Sequence, residues 1–101
     1  MQGLLELAGA AYVGCGVLGS AAGMDKEMTK RVAQSAGLPQ VPWAVARTAK
    51  QASTAAKKLG FPVFIKPARM GSSVGVMKVK SPAGVAAALR EALRYDDKAL
   101  I

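Results

Sequence analysis

The sequence contains no histidine and a single cysteine, Cys15, among its 101 residues. A Cys–His or Ser–His catalytic pair, a zinc site built on Cys/His clusters and an internal disulfide are therefore excluded. We expect Cys15 to be a small buried side chain, since no base is available to activate it. Aromatic residues are also scarce, at 5%, and they are not interleaved with basic residues as base-stacking surfaces would require.

Acidic residues are few, with 6 against 14 basic ones and a formal net charge of +8. A basic excess can serve nucleic acid, a membrane surface or a phosphorylated small molecule. The lysines and arginines are spread along the chain, and the longest basic run is Lys57–Lys58. This scattered pattern favours a basic surface around a nucleotide site, with neither nucleic acid nor a membrane as partner.

Long uninterrupted apolar runs are missing as well. The longest apolar stretch, residues 4–24, is broken by Glu6 and by glycines, and no basic leader precedes it. Neither a membrane span nor a signal peptide is predicted, and we expect a cytoplasmic protein. The length and the 51% content of apolar residues fit one small domain or a piece of a larger one.

Capping and turn residues divide the sequence into regular elements. A short helix is predicted around Leu4–Ala8, a strand at "AAYVG" and a small-residue connection at "GCGVLGSAAGM". From Asp25 onward the pattern predicts helix, strand, helix, strand, strand, helix and strand, with Asp25 and Thr48 as helix N-caps. This order indicates an α+β fold with helices packed on a small sheet. The last strand, "KALI", is so short that we expect the native chain to continue past Ile101.

Two short motifs suggest chemistry but lack the surroundings that it needs. Residues 14–19 match Gly-x-Gly-x-x-Gly, but the acidic residue expected about twenty positions later in a dinucleotide site is missing. A glycine-rich link between domains is the better interpretation. Asp96 and Asp97 are interpreted as a turn and not as a metal site, because adjacent carboxylates do not converge and no third ligand is apparent.

The strongest functional signal is the segment "KPARMGSSVGVMKV", residues 66–79. It is not a Walker A loop, because it lacks the Gly-x-x-x-x-Gly-Lys-Ser/Thr pattern. Gly71 and Gly75 nevertheless permit close approach of the backbone to a ligand, and successive N–H groups in such a loop can surround an anion. Ser72 and Ser73 add hydroxyl donors. An exposed flexible turn explains this loop about equally well on its own.

Two lysines bear on this choice. Lys66 closes the apolar strand "FPVFIK", and Pro67 fixes the backbone where its side chain must point. A cation held there favours phosphate binding by the loop that follows. Lys26, at the start of a helix behind Asp25, is most simply a solvated first-turn lysine.

Taken together, three strings resemble the D-alanine–D-alanine ligases of the ATP-grasp superfamily: "QGLLELAGAAYVGCGVLGSAAGMDKEMTKRVAQSAGLP", "FPVFIKPARMGSSVGVMKV" and "YDDKALI". The resemblance covers nearly the whole chain in the right order. It implies an ATP-grasp central subdomain at residues 25–101, with helices packed on a small, mostly antiparallel sheet. Residues 1–24 would then be the C-terminal part of a preceding α/β substrate domain plus a linker.

The resemblance also implies an activity. Such ligases work in the cytoplasm on peptidoglycan synthesis and are often homodimers. They phosphorylate the carboxylate of one D-alanine with ATP and Mg²⁺, and the amine of a second D-alanine attacks the acyl phosphate.

Individual roles follow from the same resemblance. Lys26 and Lys66 would contact nucleotide phosphates, and the loop from Gly71 to Gly75 would close over the transferring phosphoryl group. Ser72 would be the catalytic serine near the first D-alanine, and Ser73 would meet the phosphate. The family's adenine-binding segment and magnesium carboxylates are expected after the last residue of this chain. We therefore expect no metal ligand and no ligation by these residues alone.

Three alternatives stay open on the sequence. A D-alanine–D-lactate-type or other ATP-grasp ligase differs in second-substrate residues that this chain lacks. A small basic nucleic-acid-binding module would show affinity that falls steeply with salt. A stand-alone interaction protein would need to bury its exposed cleft face against a partner, and the unfinished strand "KALI" would offer an edge for this.

Overall fold

The computed structural model describes all residues from 1 to 101. From Asp25 onward the element order predicted from the sequence is confirmed, and the fold is a mixture of helices and a small antiparallel sheet. No helix has the length and apolar character needed to cross a membrane. The elements are α1 (Gln2–Leu7), α2 (Val17–Met24), α3 (Lys26–Ser35), β1 (Val45–Ala46), α4 (Ala49–Leu59), β2 (Val63–Pro67), β3 (Met77–Val79), a 3₁₀ turn (Pro82–Gly84), α5 (Val85–Ala92) and β4 (Ala99–Leu100).

Three expectations for the first 24 residues are wrong. The segment "AAYVG" forms no strand, because no other strand lies beside it to accept its backbone hydrogen bonds. The predicted small-residue connection is instead largely helix α2, whose N-cap is Gly16. Cys15 lies just before this helix and is exposed, not buried.

The sheet has the strand order β1-β4-β2-β3, and every neighbouring pair is antiparallel. Leu100 of β4 is paired with Val45 on one side and with Lys66 on the other. The backbones of Ile101 and Ala44 exchange two further hydrogen bonds, of 2.9 and 2.8 Å. The last strand is therefore an inner strand, and the expectation that "KALI" offers a free edge is wrong.

The core lies between one face of this sheet and helices α4 and α5. Thr48 begins α4 with a capping box, in which the Thr48 hydroxyl accepts from the Gln51 N–H and the Gln51 amide oxygen accepts from the Thr48 N–H. Alanines on α4 and α5 let the helices approach the sheet closely. The buried core residues are Ala46, Ala52, Ala56, Val63, Ile65, Val79, Val85, Ala88, Leu89, Ala92, Ala99 and Ile101.

The opposite face of the sheet carries Lys66 and lies under the start of α3. Side chains alternate along β2, so Val63 and Ile65 point into the core while Phe64 and Lys66 point to the other side. Helix α3 begins over this second face, where the Lys26 N–H donates to the Ala68 carbonyl at 2.9 Å. This contact brings the first turn of α3 close to the end of β2.

Candidate functional site

The Lys26 ammonium is held by backbone carbonyls and not by a carboxylate. Its Nζ donates to the Ala68 oxygen at 3.3 Å, to the Pro67 oxygen at 3.5 Å and to the Met70 oxygen. Burial lowers the pKa of Lys26, and the neighbouring charge of Lys66 lowers it further. Lys26 is thus a fixed, partly desolvated cation with no counterion of its own. A solvated first-turn lysine does not describe it.

Lys66 faces the same space. It is half-buried and makes no ion pair within the chain. The two lysines line one cavity of about 300 Å³, together with Lys30, whose Nζ donates to the Gln40 side-chain oxygen at 3.2 Å. Converging cations in a concave site attract anionic ligands. The lining residues are Gly23, Lys26, Thr29, Lys30, Gln40, Lys66 and Leu100.

Sequence reasoning missed Lys30 as a lining residue. The signal that could have found it is its position four residues after Lys26, which places both side chains on one face of α3. This spacing alone is common on exposed helices, and only the position of α3 over the sheet gives it meaning.

All six acidic residues have partners elsewhere, and none of them forms an ion pair with a lysine of the cavity. No three acidic, histidine or cysteine side chains come together as a group that could hold a metal ion. These residues therefore do not supply a Mg²⁺ site. The partners are Lys98 for Asp25 and Glu27, Arg69 for Asp96 and Asp97, Arg94 for Glu91, and the Tyr12 hydroxyl for Glu6.

Lys98 holds the first turn of α3 in place. Its Nζ lies 2.7 Å from Asp25 Oδ2 and 2.7 Å from Glu27 Oε2, while Asp25 Oδ1 accepts from the Glu27 and Met28 N–H groups. Burial raises the pKa of Asp25, but the Lys98 hydrogen bond outweighs it together with the two N–H groups, so the pKa is lowered overall. Asp25 was predicted as a cap, but its partner Lys98 was not.

The Lys98 ammonium also shifts the pKa of Glu27, and its carboxylate partners shift its own pKa. Hydrogen bonds from Lys98 and from Arg31 lower the pKa of Glu27. Burial lowers the pKa of Lys98 itself, but its two carboxylate partners reverse this effect and raise the pKa overall. The three side chains are therefore held charged, and they fix the backbone from which Lys26 extends.

The loop of residues 71–75, called the phosphate loop below after the role that the sequence predicts for it, presents unused donors. Ser72 and Ser73 have positive φ angles of 49° and 59°, which is uncommon for residues other than glycine. Their N–H groups, their hydroxyls and the Gly75 N–H make no hydrogen bond within the chain. The Val74 N–H closes the turn by donating to the Gly71 oxygen at 3.0 Å. The tip of the loop thus offers several donors to a ligand.

The two glycines of this loop differ. Gly75 has a φ of 67°, and a Cβ there would lie 2.9 Å from Pro67 Cγ and from Tyr95 Cδ2, so only glycine fits. Gly71 has open space around it and no positive φ. Ser72 and Ser73 do not line the lysine cavity, but the Met70 carbonyl, one residue before the loop, is bound to Lys26.

Comparisons with known proteins agree with this architecture. Residues 32–101 match the family model described as "D-ala D-ala ligase C-terminus". The chain is 54% identical over 108 residues to a D-alanine--D-alanine ligase of Paenarthrobacter aurescens. It is 52% identical over 107 residues to the protein of that name from Deinococcus radiodurans. All of this chain is covered, but only 28% and 32% of those two proteins, so it spans less than a third of their length.

Solved structures show the same relationship. The structure of D-alanyl-alanine synthetase A from Vibrio cholerae superposes with a TM-score of 0.90 at 33% identity, over 98% of this chain and 31% of that one. The family model covers well over half of the chain and matches the segment that contains the whole sheet and the phosphate loop. The chain belongs to the D-alanine–D-alanine ligase family.

Proposed function

We propose that this chain supplies one side of the ATP-binding cleft of a D-alanine–D-alanine ligase. The observation that carries the proposal is the pair Lys26 and Lys66, two cations without a carboxylate partner on one cavity. Free N–H and hydroxyl donors lie on the loop that leaves the same strand. Phosphate oxygens match both sets of groups in charge and in hydrogen bonding.

In this proposal Lys26 and Lys66 bind and orient the phosphate chain of ATP. The phosphate loop covers the group to be transferred, with Ser73 and the backbone N–H groups donating to its oxygens. Phosphoryl transfer depends mainly on positioning and on neutralising charge, so no nucleophile from the protein is required. We assign Ser72 to the hydrogen bonds around the first D-alanine. This role and that of Gly71 rest on the resemblance to the family.

The remaining features of the complete enzyme are part of the same proposal. We place it in cytoplasmic peptidoglycan synthesis, with ATP and D-alanine as substrates, Mg²⁺ as the ion that accompanies ATP, and a homodimer as its assembly. Residues 25–101 would form the nucleotide-binding subdomain and residues 1–24 the end of a substrate domain.

ATP binding to the purified chain tests the proposal, measured by isothermal titration calorimetry. Replacing Lys66 with alanine removes a charge-assisted hydrogen bond of about 1.5–3 kcal/mol, so we expect affinity to fall at least about tenfold. Lys57→Ala is the matched control, because Lys57 is exposed at the far end of α4, and we expect no change. Equal ATP affinity of the Lys66→Ala variant and the parent chain would refute the proposal.

The nucleic-acid alternative gives an opposite pattern. A basic module would bind an oligonucleotide with an affinity that falls steeply with salt and that hardly responds to Lys66→Ala. That pair of results, without ATP binding, would replace our proposal.

The reaction itself is tested on the native product purified from its own cells. We expect a mass several times the 10.4 kDa of these residues, with ADP release that requires D-alanine. If the ester with D-lactate forms faster than the dipeptide with D-alanine, the enzyme is of the D-alanine–D-lactate type. A native product of 10.4 kDa without ADP release would contradict the ligase assignment.

A further inference from the structure

Arg69 connects the start of the phosphate loop with the turn between α5 and β4. The Arg69 N–H donates to Asp96 Oδ2 at 2.7 Å, and Nε and Nη2 donate to Asp96 Oδ1 at 3.0 and 2.5 Å. Nη2 also donates to Asp97 Oδ1. The Asp96 side chain is only 2% exposed. One carboxylate thus fixes both the backbone and the side chain of Arg69, which lies two residues before the loop.

The other end of the loop rests on the same turn. Gly75 packs against Pro67 and against the ring of Tyr95, the residue next to Asp96. Both ends of the loop are therefore held by residues 95–97, and the bond from Lys26 to the Met70 oxygen adds a third tie. Between these ties, the residues of the tip, from Ser72 to Val74, are exposed.

We propose that Arg69 and Asp96 are positioning residues: their pairing fixes the ends of the phosphate loop so that its free donors are aimed at the phosphate before ATP arrives. This inference rests on the proposed function of the loop. It assigns neither side chain to direct contact with the ligand. Donors that are held in place before binding lose less conformational freedom on binding, which raises affinity.

A direct role for Arg69 on phosphate fits the geometry less well. Its guanidinium already faces two carboxylates, and these partners raise its pKa further. For Asp96, burial raises the pKa, but the hydrogen bonds from Arg69 and the Asp97 N–H outweigh this and lower it to about 2. The pair is therefore ionised throughout the neutral range, and its charges largely cancel near the loop.

The two explanations predict opposite signs for Asp96→Asn. This variant removes the negative charge of Asp96 and so makes the site more positive by one unit. Attraction of ATP by charge alone would then become stronger. Positioning predicts the reverse, because Asn keeps the shape but loses the charged hydrogen bonds to Arg69. We expect ATP affinity to fall about tenfold, which corresponds to the loss of one charge-assisted hydrogen bond. Arg69→Lys keeps the charge but cannot make the paired contacts with Asp96, so we expect a similar fall in ATP affinity for this variant.

The experiment combines ATP titration with hydrogen exchange of the chain without nucleotide. The amides to follow are those of Val74 and Val76, which donate to the Gly71 and Ser73 oxygens within the loop. For both variants we expect these two amides to exchange about tenfold faster while the amides of β2 keep their rates. Arg94→Lys is the control, since Arg94 forms only a surface pair with Glu91, and it should change neither quantity. The readout is the exchange rate of the loop amides divided by that of the β2 amides. A general loss of stability accelerates both and leaves this ratio unchanged, and such a result counts against the proposal.

Two results would overturn the inference: unchanged exchange of the loop in both variants, or ATP affinity of Asp96→Asn equal to or above that of the parent chain. Failure of the proposed function gives a different picture. In that case the parent chain does not bind ATP at all, whereas the exchange measurement still reports whether Arg69 and Asp96 hold the loop.

Discussion

Residues 1–24 and residues 25–101 differ in what surrounds their side chains, although both contain regular helices. None of the 17 buried residues lies before Glu27. The first part includes α1 and α2 but only one charged residue, Glu6. Its large apolar side chains, such as Leu7 and Leu18, point into solvent. The second part holds the sheet, the core and every ion pair.

This difference shows that a segment can form a helix without packing into a core. Short helices are marginal in water and draw most of their stability from packing of an apolar face. Helix α4 has that support from the core and a capping box at its start. Helix α1 has neither a buried residue nor a side-chain cap. Stability should therefore be concentrated in residues 25–101, and the following measurements test that distribution.

The largest contrast is expected between two truncations of apolar side chains. Ile65 is fully buried at the centre of the sheet and Leu7 is 90% exposed. Ile65→Ala should lower the free energy of unfolding by about 2–5 kcal/mol, because it leaves a cavity, whereas Leu7→Ala should change it by less than about 0.5 kcal/mol. Urea unfolding followed by circular dichroism measures both. A loss of more than about 1 kcal/mol for Leu7→Ala would mean that α1 is integrated into the fold.

The sequence was sufficient to predict the packed part because its signals are local. Asp25 and Thr48 are caps whose hydrogen bonds lie within three residues, and β2 lies in the short apolar run "FPVFIK". In residues 10–24 the local signal was ambiguous. Small residues suit a link or a helix, and a strand at "AAYVG" would have needed a partner that no pattern supplies.

The candidate site divides in the same way. Lys66 and the loop serines could be found because they lie within one short segment of the sequence. Contacts between distant residues could not be found, since nothing in "YDDKALI" indicates that Asp96 binds Arg69 or that Lys98 binds the first turn of α3. The sequence pattern alone predicted a solvated side chain at Lys26. The structure shows it partly buried, because α3 lies against the end of β2.

The second contrast concerns charge. Lys98→Met should lower the free energy of unfolding by about 3 kcal/mol, because it leaves Asp25 and Glu27 largely enclosed without their cation. Lys57→Met, at an exposed position of α4, is the control and should stay within about 0.5 kcal/mol. Thermal and urea unfolding of both variants at pH 7 provide the comparison. Equal stability of the two variants would show that the Lys98 contacts contribute nothing measurable.

Acid should weaken the same contacts. The pKa values of Asp25, Glu27 and Asp96 are lower in the folded chain than the ordinary values of 3.8, 4.5 and 3.8, and that of Asp96 is about 2. Unfolding therefore takes up protons in this range, so the stabilisation is complete above about pH 5 and is lost as the pH falls toward 2. We expect unfolding midpoints to fall over this window, and to fall less in Lys98→Met. A midpoint that is constant from pH 6 to 2.5 would contradict this linkage.

Two glycines with nearly the same backbone give a third, smaller contrast. Gly9, in the first part, and Gly75, in the phosphate loop, have φ angles of 63° and 67°. Alanine at either site costs about 1–2 kcal/mol for the left-handed backbone. Only at Gly75 does the added Cβ also meet Pro67 and Tyr95, at 2.9 Å, which adds about 1–3 kcal/mol of overpacking.

Urea unfolding measures both variants. Because no residue before Glu27 is buried, Gly9→Ala should change the measured free energy of unfolding by less than about 0.5 kcal/mol. Gly75→Ala should lower it by the backbone and packing costs together. Equal effects of the two variants would show that the loop moves away from Tyr95 without cost.

The smallest effect is expected from removing residues 1–20 altogether. The deletion spares Ala22, whose carbonyl accepts a hydrogen bond from the Thr29 hydroxyl at 3.0 Å, and it removes no buried side chain. The free energy of unfolding should therefore change by less than about 0.5 kcal/mol. The urea m-value should also stay the same, because it scales with the surface that unfolding exposes and these residues are already exposed. A lower m-value in the shortened chain would show that residues 1–20 unfold together with the sheet, and the two parts would then be one cooperative unit.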